Sequence, residues 1–151
     1  IAAIMCSKPD IAILLVEKGI DVNAAGKASG PPLWNCKSIK DDAKRIELAK
    51  LLIEKGADLN AMFLGQAPLH GAGQVGAMDY ARLLLEKGAD ANLKDANGLT
   101  PLHYAACSGK PRMARMLLES GADPKLTDKE GKTPLDWARD NMNGDVVDLL
   151  K

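Results

Sequence analysis

Gly71-Ala72-Gly73-Gln74-Val75-Gly76 matches G-x-G-x-x-G, the pattern of a loop whose backbone approaches the pyrophosphate of a dinucleotide. His70 stands directly before it, and His103 follows the same Pro-Leu pair 33 residues later. An imidazole titrating near neutrality is the commonest general base. A base needs a nucleophile or a metal within reach, and neither histidine has such a partner set in the sequence. Asp41 and Asp42 form an adjacent acidic pair, fewer oxygen ligands than a hard cation takes, so they read as a solvated loop. Cys6, Cys36 and Cys107 make no C-x-x-C pair. Three unpaired thiols predict a reducing compartment, the cytoplasm first, with each thiol filling space rather than reacting. Together these residues predict no enzyme, no cofactor and no metal site.

Composition narrows the elements that position these side chains. The chain has 151 residues, enough for one domain with a core, and 46% of them are hydrophobic, too many for a disordered segment. Aromatics are only 3%, which favours close-packed helices of small residues over a β-sandwich. Twenty basic and 20 acidic residues cancel, so the basic footprint of a nucleic-acid binder is missing. The longest apolar runs, such as 11–16, are too short to span a bilayer, so no membrane partner is expected. The chain opens at Ile1 with neither an initiator Met nor a signal peptide, and reads as a fragment whose start is missing.

Internal repetition fixes the register. Gly19-Ile20-Asp21-Val22-Asn23 is echoed at 56–60, 88–92 and 121–125. Each echo is followed by a second motif, Pro31-Pro32-Leu33-Trp34, Ala67-Pro68-Leu69-His70, Thr100-Pro101-Leu102-His103 and Thr133-Pro134-Leu135-Asp136. Pro68, Pro101 and Pro134 are 33 residues apart, and Pro32 precedes Pro68 by 36. Within one period, Thr100 caps a helix with Pro101 in its first turn, where a missing N–H is harmless. Leu102, Ala105 and Ala106 line one side, Gly109 ends the helix and Pro111 opens a second. Met113, Ala114, Met116, Leu117 and Leu118 give the second helix a broad apolar face, and Gly121 stops it. One helix pair cannot bury both its faces, so neighbours must stack.

Thr100-Pro101-Leu102-His103-Tyr104-Ala105-Ala106 and Gly88-Ala89-Asp90-Ala91-Asn92, recurring at this period, resemble the ankyrin repeat over nearly the whole chain. The resemblance implies an all-α repeat solenoid of stacked antiparallel helix pairs joined by β-hairpin loops. Five units are expected, at 1–26, 27–61, 62–94, 95–127 and 128–151, the first lacking its hairpin and starting inside its first helix. In this frame the glycine motif falls within or just after the first helix of the third unit, with no strand before it, so the dinucleotide reading is set aside. Gly76 becomes an ordinary terminator. Gly71 and Gly73 become local departures, each costing about 1 kcal/mol in a helix interior, which predicts that this helix is the softest of the array. The resemblance also makes His70 and His103 structural, bonded to neighbouring hairpins. Asn23, Asn60 and Asn92 stand in the context that an asparaginyl hydroxylase of animal cells can modify.

Units differ where function is expected. Pro32 to Gly56 is 24 residues, against 20 from Pro68 to Gly88 and from Pro101 to Gly121. The surplus falls in 37–45, between two helices, and reads either as a functional loop or as tolerated drift. Asn60 to Pro68 is 8 residues where the sister hairpins have 9, and Met62-Phe63-Leu64 stands where others read Asp95-Ala96-Asn97 and Asp128-Lys129-Glu130. Two readings of this greasy fingertip remain open: a partner anchor, or packing onto a neighbour, the loop of unit two being the specific rival.

The family binds mainly through hairpin tips and the concave side of the first helices. Carried over by position, that surface is Phe63, Leu64, Gln66, Gln74 and Val75 in unit three, Ala96, Asn97, Leu99, Cys107 and Ser108 in unit four, and Lys129, Glu130 and Lys132 in unit five. Tyr104 and Trp137 are read as core. The expected role is a non-catalytic scaffold, monomeric, binding another protein or peptide. The alternative is the recognition arm of a larger effector or signalling protein.

Overall fold

The computed structural model describes residues 8–25 and 29–151. The expected start of unit one within a helix, Cys6, and the boundary between units one and two all lie outside the described residues. Nine α-helices and no β-strand form among those described. α1 spans Pro9–Glu17, α2 Pro32–Asn35 and α3 Asp42–Glu54. α4 (Pro68–Val75) and α5 (Met78–Glu86), α6 (Pro101–Cys107) and α7 (Pro111–Glu119), and α8 (Pro134–Asp140) and α9 (Gly144–Leu150) are successive helix pairs. The inner helices α2, α4, α6 and α8 pack in order, and on the outer side α3 packs between α1 and α5 while α9 packs on α7.

Each inner helix begins at a proline preceded by an extended residue, Pro31, Ala67, Thr100 or Thr133. Proline's fixed φ and missing N–H suit that first turn. Gly76 (φ 79°) and Gly109 (φ 60°) then reverse the chain in the left-handed region, where a Cβ is unfavourable. The core is Leu33, Leu48, Leu52, Leu69, Tyr80, Leu84, Leu102, Met113 and Leu117, buried between the two helix layers, with small alanines between them. Tyr80 is fully buried, and its hydroxyl donates to the Leu33 carbonyl.

Asparagines stitch the outer ends of the units. The Asn23 side chain accepts from the Asp58 N–H at 2.8 Å and donates to the Gly56 carbonyl at 3.0 Å. Asn60 accepts from the Asp90 N–H at 3.1 Å, and Asn92 accepts from the Asp123 N–H at 2.7 Å and donates to the Gly121 carbonyl at 3.0 Å. The three asparagines noted as hydroxylation candidates are thus all bonded across a repeat boundary.

The extra residues of unit two do not project as a loop. Cys36–Ser38 continue α2 as a 3-10 turn, Ile39 is 2% exposed, and the rest lengthen α3 to 13 residues, against 9 in α5 and α7. Asp41 caps α3 by accepting from the Lys44 N–H at 3.0 Å. Arg45 staples the segment by donating to the carbonyls of Cys36 and Ile39 and pairing with Asp42.

Candidate partner-binding face

The histidines lie at the base of this face. The Ala67 N–H donates to His70 Nδ1 at 3.1 Å, and the Thr100 N–H to His103 Nδ1 at 3.0 Å. With Nδ1 accepting, the proton sits on Nε2, which donates to the Leu93 and Leu99 carbonyls from His70 and to the Lys132 carbonyl from His103. Burial is the main force holding both imidazoles below their ordinary pKa. Both ring nitrogens of each are occupied by backbone that locks a helix start to the next hairpin. Asp136 takes the same place in α8, accepting from the Thr133 N–H at 2.9 Å and the Thr133 hydroxyl at 2.6 Å.

The hairpins carry a second set of bonds. Asp95 accepts from the Asn97 and Leu99 N–H groups with one oxygen and from the Tyr104 hydroxyl at 2.7 Å with the other. Gln66 donates to that hydroxyl at 2.8 Å. Burial, and then the bond to Asp95, push the Tyr104 phenol up to about 12. Asp128 repeats the design with the Glu130 and Lys132 N–H groups and the Trp137 indole N–H, the last at 2.8 Å. Tyr104 and Trp137 are therefore half-buried struts to the hairpin rather than pure core.

Unit three lacks both halves of this strut. Its loop closes between Phe63 and Gln66, by bonds of 2.9 and 3.0 Å, whereas Asp95 pairs with Leu99 and Asp128 with Lys132. Phe63 thus stands where those aspartates stand, and Gly71 stands where Tyr104 and Trp137 stand. The missing residue falls in the loop, leaving Leu64 (φ 50°) and Gly65 (φ 79°) as a two-residue turn with both φ positive. This corrects the three-residue fingertip. Phe63 is not at the tip: its half-buried ring meets Trp34 edge-on at 5.0 Å and lies against Gly30, packing on unit two. Leu64, 80% exposed, is the tip, with Met62 beside it 45% exposed.

The glycines that resembled a nucleotide loop have steric reasons. A Cβ at Gly73 would meet the Pro101 carbonyl oxygen at 2.8 Å, so its absence lets α4 approach the start of α6. A Cβ at Gly71 would strike the side chain of Lys37. Lys37, in the 3-10 turn that continues α2, occupies the register of Gly73 and Ala106, and Gly71 that of Tyr104 and Trp137. Large and small residues have changed places at the boundary between units two and three, and that complementary swap is the sequence signal that could have found Lys37. Its ammonium lies 3.6 Å over the Trp34 ring, a cation–π contact, and burial holds it below its ordinary pKa.

Of the other residues expected on this face, Gln74, Val75 (49% exposed), Ala96, Asn97, Lys129 and Glu130 are exposed. Leu99, Cys107 and Ser108 are half-buried, and Gln66 is committed to Tyr104. Lys132 is half-buried and pairs with Asp140 at 2.8 Å. Neighbouring fingers are joined by backbone: Ala96 N–H to the Gly65 carbonyl at 3.2 Å and Lys129 N–H to the Asn97 carbonyl at 3.0 Å. The tips of units three to five therefore form one continuous edge. Among the described residues no helix is long and apolar enough to cross a membrane, and no three His, Cys, Asp or Glu side chains cluster to hold a metal ion.

A family model of a single ankyrin repeat matches residues 64–96, and a model of three ankyrin-repeat copies matches 88–151. They span more than half of the chain and agree with the stacked helix pairs, so the chain belongs to the ankyrin-repeat family. A search of the curated proteins finds no match. Ankyrin repeats are in general protein–protein interaction modules and are typically non-catalytic.

Proposed function

We propose that this chain is a non-catalytic scaffold that binds another protein or peptide through its hairpin tips and the concave ends of its inner helices, around Leu64, Gln74, Val75, Ala96, Asn97 and Lys129. Leu64 is the observation that carries this reading. A turn with both central φ positive favours Asn-Gly, and a leucine there is strained by roughly 1–2 kcal/mol. At 80% exposure its side chain recovers little of that by burial within the chain. A strained, solvent-facing apolar residue flanked by backbone-linked fingers fits an anchor that is buried only in a complex.

Hydrogen exchange on a complex captured from extracts of the source cells tests the reading. Protection is expected at 63–66, 74–76 and 96–99, with the solvent faces of α3, α5 and α7 unchanged. Protection confined to those outer helices would sink it.

A further inference from the structure

Among the described residues no anion answers the charge of Lys37. Its stem crosses Gly71 and its half-buried ammonium rests on the Trp34 ring. It makes no hydrogen bond or ion pair with any described residue. Lys44 is answered by Asp10 at 2.8 Å, Lys94 by the Thr127 carbonyl at 2.8 Å and Lys132 by Asp140, whereas lysines such as Lys40, Lys87 and Lys129, which also make no ion pair, are exposed and Lys37 is not. Arg45, which lines a cleft together with Lys37, is taken by Asp42 and two carbonyls, and Asp79, also in that lining, makes no ion pair with Lys37. A partly desolvated cation without an anion is complementary to a carboxylate from outside. The Phe63 ring meets the same indole at 5.0 Å, and Leu64 follows Phe63, so Trp34 connects the cation to the loop that carries the apolar tip.

Resting on the binding face proposed above, we infer that Lys37 receives a carboxylate of the partner. The bound segment presents an Asp or Glu a few residues from the large apolar side chain that covers Leu64. Lys37 thereby gives the unit-two insertion a role in partner choice.

The test pans a displayed library of random peptides against the whole chain, with counter-selection on the Leu64→Asn protein to keep tip-dependent binders. These are expected to share an acidic residue close to a large apolar one. A synthetic consensus peptide should bind the wild type at least about tenfold more tightly than its Glu→Gln version, as for a close charge pair. Lys37→Met, which keeps the stem over Gly71, should bind the two peptides equally, and Lys37→Gln replaces it if the methionine variant does not melt cooperatively. Tip-dependent binders without an acidic residue, or an acid preference that survives loss of Lys37, would overturn the inference and leave the face standing. A library without tip-dependent binders counts against the face itself and takes the inference with it.

Discussion

Met142 stands at the register of Gly76 and Gly109, with φ 57° and 91% of its surface exposed. A side chain there destabilises by about 1 kcal/mol or more and gains nothing from burial. Met142→Gly is expected to raise the melting temperature by roughly 2–4 °C, and an unchanged or lower value would show that the turn is unstrained. The two glycines of α4 should part company. Gly73→Ala pushes a methyl at a backbone oxygen and should destabilise by about 1–3 kcal/mol in urea titration. Gly71→Ala displaces only the flexible end of Lys37, and the helix gain of about 1 kcal/mol should leave it neutral or better. Equal losses would remove the steric explanation. At this scale the histidines were legible, because Pro-Leu-His recurs and no partner set accompanies it. Phe63 and Leu64 were not separable, since only the turn pairing Phe63 with Gln66 shows which of them is the tip. Lys37 was not legible as part of the site, because the surplus at 37–45 suits a loop by length alone, although a lysine at the register of Gly73 and a glycine at that of Tyr104 form a complementary pair.

At the element scale, prolines marked the starts of the inner helices and left-handed glycines the reversals after α4 and α6, which is why these helices could be read directly. The lengthening of α3 was not legible, since Asp41 suits a loop as well as an N-cap until the Lys44 N–H is seen to bond it. Two interior glycines still make α4 the element of weakest helix propensity, and its amides at 70–74 are expected to exchange faster than those at 102–108. The helix starts also predict a pH response. His70 and His103 are lowered in the folded state, and their Nδ1 atoms accept bonds that protonation breaks. Their contribution is fully present above the unfolded value of about 6.5, and is lost as pH falls and the unfolded chain takes up protons first. The urea midpoint should drop between pH 7.5 and 5.0, and drop less in His70→Gln/His103→Gln. Asp136, held below its ordinary pKa by the Thr133 side-chain and backbone bonds, stays charged in that window, so α8 should keep its start when α4 and α6 weaken. A midpoint as pH-sensitive in the double variant as in the parent would assign the response elsewhere.

In the whole molecule, stability is a sum over stacked neighbours, and the asparagine bonds and the finger-to-finger backbone bonds tie each unit to the next. Unit three departs from that regularity on its finger: it has given up the Asp–aromatic strut, shortened its loop and turned Leu64 outward. Repetition in the sequence was enough to show the stack, because period, proline and glycine positions agree. The binding face was legible only as a region, since exposure depends on how each finger closes. The measurement that bears most directly on the central claim pairs thermal melting with isothermal titration of a purified partner for Leu64→Asn, asparagine being at home in a left-handed turn. The variant is expected to melt roughly 2–4 °C higher and to bind at least about tenfold more weakly, stability and affinity moving in opposite directions. A variant that melts higher and binds as tightly as the parent would contradict the assignment of Leu64 as the anchor.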